Sequence, residues 1–306
     1  MAKKVTFTVA TLLVGLMAFS QPIRKSKSKN DSTSFKIQTN YLSNYVYNGR
    51  ADSLKTPYFY TSATVNFANG IYASFSLNYL VADGQNRFDF SELDLGYNYA
   101  IGQKVSGEIY GSKYFYTSQS NLLSGNISSD IGFTFNYDLN FLNFHNSTDV
   151  FFADKADFQI VPGLEKEIII SDHSKDIFSI TPGIYGSFSS LNFYESTVSR
   201  RLNAIKGPKL KQPINTGTLQ STTSVNNKGF KFLDVELSMP LSYDYKNWNF
   251  TLTPTYAIPF NKIYTTSINT TTINGIPKTS TINSTPFSEN NLNNIFFVDL
   301  GISFNF

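Results

Sequence analysis

The end of the chain most tightly constrains the fold, because apolar side chains occupy every second position there. From Phe296 to Phe306 all even positions are apolar, while most odd positions are polar or glycine. A period of two predicts a β-strand with one apolar face and one polar face. A soluble sandwich could end on such a strand, but its aromatic last residue would fray into water. The pattern therefore favours a strand whose apolar face meets lipid, as in a transmembrane β-barrel.

The composition supports the same fold class. Aromatic residues make up 16% of the chain and charged residues only 15%, whereas a soluble domain carries about 25% charged residues. After residue 20 the sequence has no apolar run near the ~18 residues that a membrane helix needs. The sequence has no cysteine, which excludes a disulfide framework, and its net charge of +3 is too small to suggest a nucleic-acid partner.

The amino-terminal region has the pattern of a secretory signal. Two lysines precede an apolar stretch over 5–19, and small residues follow its end. We expect residues 1–20 to be a signal peptide, because the apolar stretch is too short for a membrane anchor. Residues 21–33 are then a flexible basic periplasmic tail, and 34–306 form the outer-membrane β-barrel domain.

Alternating segments predict about twelve antiparallel strands in an up-and-down barrel. The predicted strands cover 34–47, 58–67, 71–81, 88–99, 105–116, 127–137, 141–152, 157–169, 176–187, 230–243, 248–260 and 295–306. Connections after even-numbered strands are short, and those after odd-numbered strands are mostly longer, as in outer-membrane barrels with short periplasmic turns and long external loops. Both termini are then periplasmic. The strand number could differ by two, since a long loop such as 188–228 could hide a hairpin at 191–198.

Three short motifs resemble the TorF-type porin family of Gram-negative bacteria. Residues 43–50, SNYVYNGR, resemble that family's SDYVFRG opening, although Asn48 stands where the family has Arg. Residues 69–74, NGIYAS, occupy the place of its GFYAG hairpin, and 92–97, ELDLGY, resemble its ELDLYAGY strand. The resemblance covers mainly residues 35–116, and it implies a porin in the outer membrane.

The aromatic end of the chain carries a second resemblance. Phe304 and Phe306, at alternate positions of the last strand, resemble the assembly signal of bacterial outer-membrane proteins. This implies the barrel assembly machinery as a partner, and outer-membrane lipids and lipopolysaccharide as the surroundings.

Assigning the apolar face of each strand to lipid gives the interior a strongly acidic character. Apart from Lys36, the inward charges are Glu92, Asp94, Glu108, Asp130, Asp149, Asp157, Glu165, Glu167, Asp234, Glu236 and Asp299. Basic residues such as Arg50, Lys55 and Arg87 fall in the external loops, from which they could also fold inward and pair with the acids. A lumen with charges of a single sign sets ion preference. We expect a passive channel for small hydrophilic solutes or cations, with a modest cation preference. The alternative is a non-conducting barrel that serves as an anchor or a subunit of an outer-membrane assembly.

The sequence also allows one test for catalysis. His145 and Ser147 lie two apart and share a strand face, with a spacing similar to the His-x-Ser of outer-membrane phospholipases. The Asn-Gly that follows the serine in that family is missing, and the pair is expected to face the lumen rather than lipid. No metal-ligand spacing or glycine-rich phosphate loop is present either. We therefore predict that the chain is not an enzyme and needs no metal or cofactor.

Overall fold

The structure is a computed structural model. It describes residues 32–51, 55–82, 84, 86–118, 120, 127–153, 155–174, 176–190, 217–225, 229–261, 265–273, 276–284 and 293–306. Within these ranges no helix is both long enough and apolar enough to cross a membrane.

Twelve antiparallel strands form one closed barrel. They are β1 (Ser34–Leu42), β2 (Tyr58–Asn66), β3 (Ile71–Leu80), β4 (Arg87–Ile101), β5 (Val105–Tyr116), β6 (Ser129–Asp138), β7 (Asn143–Phe152), β8 (Ala156–Glu165 and Ile168–Asp172), β9 (Asp176–Ile180 and Gly183–Ser189), β10 (Lys231–Ser238 and Leu241–Tyr245), β11 (Trp248–Pro259) and β12 (Ile295–Asn305). Each strand pairs with its neighbours in sequence, and β12 pairs with both β11 and β1. The predicted all-β fold, an up-and-down barrel of twelve strands, is confirmed.

The alternation along each strand separates an apolar outer surface from a polar interior. On β3, for example, Phe75, Leu77 and Tyr79 are exposed, whereas Ser76 and Asn78 between them are buried. Since successive side chains point to opposite faces of a sheet, this pattern fixes which face points outward. Exposed aromatic and aliphatic side chains recur on every strand of the barrel. The apolar surface of this chain therefore lies on the outside of the barrel.

Short turns close one end of the barrel, as the sequence predicts. They lie at 67–70, 102–104, 139–142 and 246–247, and between Asp172 and Asp176. The turn between β2 and β3 uses Asn69-Gly70, and Gly70 has a φ of +93° that favours glycine. The connections at the opposite end are mostly longer, although only three residues, 153–155, join β7 to β8. We refer to the two ends of the barrel as the short-turn end and the long-loop end.

Three neighbouring strands are interrupted side by side, where the sequence predicts continuous strands. The breaks lie after Glu165 in β8, at Thr181-Pro182 in β9 and at Met239-Pro240 in β10. Proline has no backbone N–H to donate to a sheet, so prolines weaken the ladder at this level. Backbone bonds still cross the breaks, including Thr181 N to Pro240 O at 2.8 Å. The barrel therefore stays closed through the interruption.

The two longest connections contribute a separate sheet of their own. Strand Gly217–Val225 pairs with Thr265–Ile273, which pairs with Ile276–Ser284, all antiparallel. None of these three strands is among the twelve predicted from the sequence, and none of them joins the barrel. The hairpin considered at 191–198 lies outside the described residues.

The first strand is shorter than the alternation predicts. We expect it to run over 34–47, but β1 ends at Leu42. Beyond it, Val46–Tyr47 and Arg50–Ala51 form a short antiparallel hairpin. Asn48 and Gly49 form its turn, with φ values of +50° and +70°, the conformation that an Asn-Gly pair favours in tight hairpins. We call residues 46–51 the inner hairpin, because its side chains contact the inside of the barrel.

Candidate functional site in the barrel interior

The inner hairpin is held by Arg50, which the sequence places in an external loop. Its side chain is only 2% exposed. It donates to the carbonyl oxygen of Asn48 at 2.6 Å, to that of Asn261 at 3.0 Å, and to that of Phe260. Phe260 and Asn261 directly follow β11, across the barrel from β4 to β6. Arg50 therefore folds inward, which is the alternative that the sequence left open, but its guanidinium donates to backbone carbonyls and ties the hairpin to the wall.

The turn of the inner hairpin contacts β8, β9 and β10. Asn48 Oδ1 accepts a hydrogen bond from Gln159 Nε2 at 2.5 Å and one from Ser187 Oγ at 2.8 Å. A Cβ added to Gly49 would lie only 2.5 Å from the Cβ of Asp234. Arg50 also interacts electrostatically with this buried carboxylate. The hairpin therefore reaches well into the interior at the long-loop end.

An aromatic cluster fills the interior on the opposite side of this same end. Tyr58, Leu80 and Phe90 form its buried centre, and the rings of Tyr58 and Phe90 are 6.2 Å apart. Below them the buried Asp89 accepts hydrogen bonds from Tyr58 Oη at 2.5 Å and from Arg87 Nε at 3.1 Å. The cluster and the inner hairpin together narrow the barrel at the long-loop end.

Five of the predicted acids line one recess on the inner wall of β3 to β7. The recess has a volume of about 330 Å³, and we call it the acidic recess. Its lining comprises Tyr72, Glu92, Asp94, Glu108, Tyr110, Ser112, Tyr114, Asp130, Asp149 and Phe151. The structure thus brings together acids from four different strands, together with tyrosine and phenylalanine rings.

Glycines allow two tyrosines to lie flat on the wall of the acidic recess. A Cβ on Gly132 would lie 2.1 Å from Tyr110 Cζ, and one on Gly96 would lie 2.5 Å from Tyr72 Cε1. Each ring thus covers the neighbouring strand, and its hydroxyl reaches the strand beyond. Tyr110 Oη donates to Asp149 Oδ1 at 2.5 Å, and Tyr72 Oη donates to a Glu108 oxygen at 3.1 Å. Neither pairing was evident from the sequence, because it needs the register of three strands.

Apart from Glu167, the other predicted acids lie elsewhere on the same face. Asp299 on β12 accepts from Asn40 Nδ2 at 2.5 Å and from Tyr60 Oη at 2.7 Å. Glu165 accepts from Tyr185 Oη at 2.5 Å. Asp157 accepts from Ser190 Oγ at 2.5 Å, and Asp234 lies beneath the inner hairpin. Glu236 lies opposite Tyr185 on β9 and opposite Ala257 on β11. Glu167 lies in the break of β8. That these acids line an open pore stays a prediction.

The two residues tested for catalysis are engaged elsewhere. Ser147 Oγ donates a hydrogen bond to Asp149 Oδ2 at 2.7 Å. His145 Nδ1 lies 2.7 Å from Asn136 Oδ1. A serine nucleophile instead needs its hydroxyl hydrogen bonded to the base. Among the residues that the structure describes, no group of three or more metal-ligating side chains could hold a metal ion.

The aromatic side chains of the last strand form a cluster on the outer surface at the short-turn end. The ring of Phe304 lies 4.7 Å from those of both Trp248 and Phe306. Phe306 N also donates to Phe35 O at 2.8 Å, next to the seam between β12 and β1. The predicted assembly residues therefore lie where the barrel closes.

Comparison with known proteins gives similarity at the level of solved structures only. No family model and no curated protein sequence matches the chain. The chain is similar to the "KdgM porin" and to "LpxR from Salmonella typhimurium", each with a TM-score of 0.44 and 10% identity, over 89% of this chain and 99% of the other. It is also similar to a "NanC porin" structure, with a TM-score of 0.37 and 13% identity, over 88% of this chain and 98% of the other. At these scores the similarity carries no functional argument, and the TorF-type resemblance stays a prediction.

Proposed function

We propose that this chain is an outer-membrane barrel that passes small hydrophilic solutes, with a modest preference for cations. The acidic recess is the main support for this proposal, because it brings five acidic side chains together on the inner wall. No lysine or arginine is among the residues that line the recess. Of the cations found on the inner side elsewhere in the described residues, Arg50 is engaged with backbone carbonyls and Arg87 is paired with Asp89. A passage lined in this way favours positive ions.

The outer surface supports a membrane location. Large apolar side chains such as Phe75, Leu95 and Ile131 are exposed on strand after strand. Exposed apolar surface on this scale is unusual for a soluble monomer and typical of contact with lipid. Trp248 and Tyr245, beside the short turns, fit the aromatic belt at a membrane interface. Since outer-membrane barrels have short periplasmic turns and long external loops, the short-turn end and both termini are periplasmic, and the long loops are external.

The expected cation preference is modest. One carboxylate attracts a monovalent cation about 7 Å away by roughly 0.6 kcal/mol in a water-like medium and by roughly 2 kcal/mol at an effective dielectric near 20. Salt at physiological strength screens charges beyond about 8 Å, which lowers both values. Several acids act together in the acidic recess, and their sum is enough to prefer cations without excluding anions.

The structure also supports a second candidate, a barrel that does not conduct. The inner hairpin and the aromatic cluster both occupy the interior at the long-loop end. If together they block the passage, the chain would serve as an anchor or a subunit of an outer-membrane assembly. Lipopolysaccharide and the barrel assembly machinery are proposed partners in either case.

Recording from planar bilayers separates the two candidates. Purified protein would be refolded in detergent, checked for heat-modifiable migration in gels, and added to a lipid bilayer in KCl. The channel proposal predicts discrete steps of current. Folded protein that inserts into the bilayer and gives no current would contradict the channel and favour the anchor.

A further inference from the structure

The acidic recess has a geometry suited to a ligand with separated positive charges. Asp94 on β4 pairs with Ser112 on β5, which pairs with Asp130 on β6. Neighbouring strands lie roughly 4.8 Å apart, so the backbones of the two aspartates are separated by about 10 Å. Glu92 lies two residues from Asp94 on the same face, at roughly 7 Å. The backbone positions that carry the carboxylates are thus spread along two directions of the wall, although the Glu92 and Asp94 carboxyls themselves meet.

A buried oxygen of Asp130 is a second, independent observation that points to a ligand in the recess. The side chain of Asp130 is only 3% exposed, and it lines the recess. The hydroxyls of Tyr114 and Ser112 act on its carboxyl, but its Oδ1 has no hydrogen-bond partner within bonding distance among the described residues. The great majority of buried polar atoms in native proteins have a partner. Leaving a buried carboxyl oxygen unpaired is costly, so a donor that enters the recess would be stabilised there.

We propose that the acidic recess binds an organic cation that carries two or more amino groups. The inference rests on the proposed channel function, because the ligand reaches the recess from the lumen, and it names the class of solute. Each ammonium group donates to a different carboxylate, that of Asp130 among them. The rings of Tyr72, Tyr110 and Phe151 offer apolar contact to the carbon chain and cation–π contact to the charges.

A single metal ion fits the recess less well. Calcium, for example, needs its oxygen ligands at about 2.3–2.6 Å, so the ligands must converge on one point. The aspartates of the recess are separated by two strand spacings instead. Within the described residues no convergent group of three metal-ligating side chains exists. A flexible diamine can bridge carboxylates that a point charge cannot.

Calorimetric titration of the refolded barrel at constant ionic strength tests the proposal. Putrescine and Mg²⁺ both carry two positive charges, so they separate recognition of a diamine from general attraction. We expect putrescine to bind at least about tenfold more tightly than Mg²⁺. Asp130→Asn removes the charge with little change in shape, and it should weaken putrescine binding about tenfold or more, as expected for the loss of one charge-assisted hydrogen bond. Asp94→Asn tests the same expectation at a less buried position if Asp130→Asn does not refold.

Asp244→Asn is the matched control. Asp244 is a half-buried acid near the short-turn end, and its Oδ1 accepts from Asn249 Nδ2 at 2.9 Å, a bond that asparagine can keep. This control should change putrescine affinity less than about twofold, since the site is distant and the attraction is screened. Equal binding of Mg²⁺ and putrescine, unchanged affinity in Asp130→Asn, or equal weakening in the control would each overturn the proposal.

The same preparations separate this inference from the channel proposal. Current in bilayers without putrescine binding would overturn the amine site and leave the channel standing. Putrescine binding that depends on Asp130, in a protein that gives no current, would support the amine site and contradict the channel.

Discussion

Replacing Arg50 with alanine should loosen the inner hairpin and widen the passage through the barrel at the long-loop end. Arg50 is the side chain that joins the hairpin to the carbonyls of Phe260 and Asn261 after β11. Hydrogen bonds to a charged group contribute about 1.5–3 kcal/mol each. Two such bonds, allowing for their incomplete additivity, give about 3 kcal/mol, which is a shift of roughly a hundredfold between attached and detached hairpin.

Single-channel recording measures this change. Arg50→Ala should increase the mean conductance or the fraction of time in the larger conducting state. Arg50→Lys should give an intermediate result, because lysine keeps the charge but lacks the planar fork of donors. Lys104→Ala is the control, since it removes one positive charge from an exposed turn. If Arg50→Ala conducts like the parent protein and the control, the inner hairpin does not set the passage.

Two further predictions concern assembly and topology. Replacing Phe304 and Phe306 together with serine should sharply lower the yield of heat-modifiable barrel, because it removes the aromatic contacts beside Trp248 where β12 meets β1; a normal yield would show that these rings are dispensable. An epitope tag at Thr272 should be detected on intact cells, and one at Lys246 only after the outer membrane is permeabilised; the reverse pattern of labelling would invert the proposed orientation.

Periodicity predicted the barrel because lipid and the interior impose opposite demands on alternate residues. The short turns were predictable for a similar local reason, as with Asn69-Gly70. The interruptions in β9 and β10 had a visible signal in Pro182 and Pro240, but the alternation continued on both sides of each proline. Continuous strands were therefore predicted there.

The inner hairpin shows where periodicity misleads. Tyr45 and Tyr47 continue the alternation of β1, so the sequence predicts that they face lipid with Phe35. Aromatic side chains that point into a narrow barrel give the same alternating pattern. Tyr47 is an example, because its ring lies 6.4 Å from that of Phe151 on the inner wall. The available signal was Asn48-Gly49, the same dipeptide type that forms the turn before β3.

The acids of the interior were predictable as a set, but their partners were not. Strand phase alone places Asp149 and Asp130 on the inner face. Their different surroundings depend on residues far along the chain, such as Tyr110, which crosses Gly132 to reach Asp149. Such contacts require the register of neighbouring strands, which one sequence does not supply.

The reversal potential of the refolded protein in a KCl gradient tests the central claim most directly. An acidic interior should displace this potential from zero toward the Nernst potential of K⁺. Exchanging five inward acids for their amides should move it back toward zero while the barrel stays folded, because the amides keep the size and hydrogen bonding of the side chains. The five exchanges are Asp94→Asn, Glu108→Gln, Asp130→Asn, Asp234→Asn and Asp299→Asn. A parent protein whose potential lies at zero or toward that of Cl⁻, or a variant that behaves like the parent, would contradict the account.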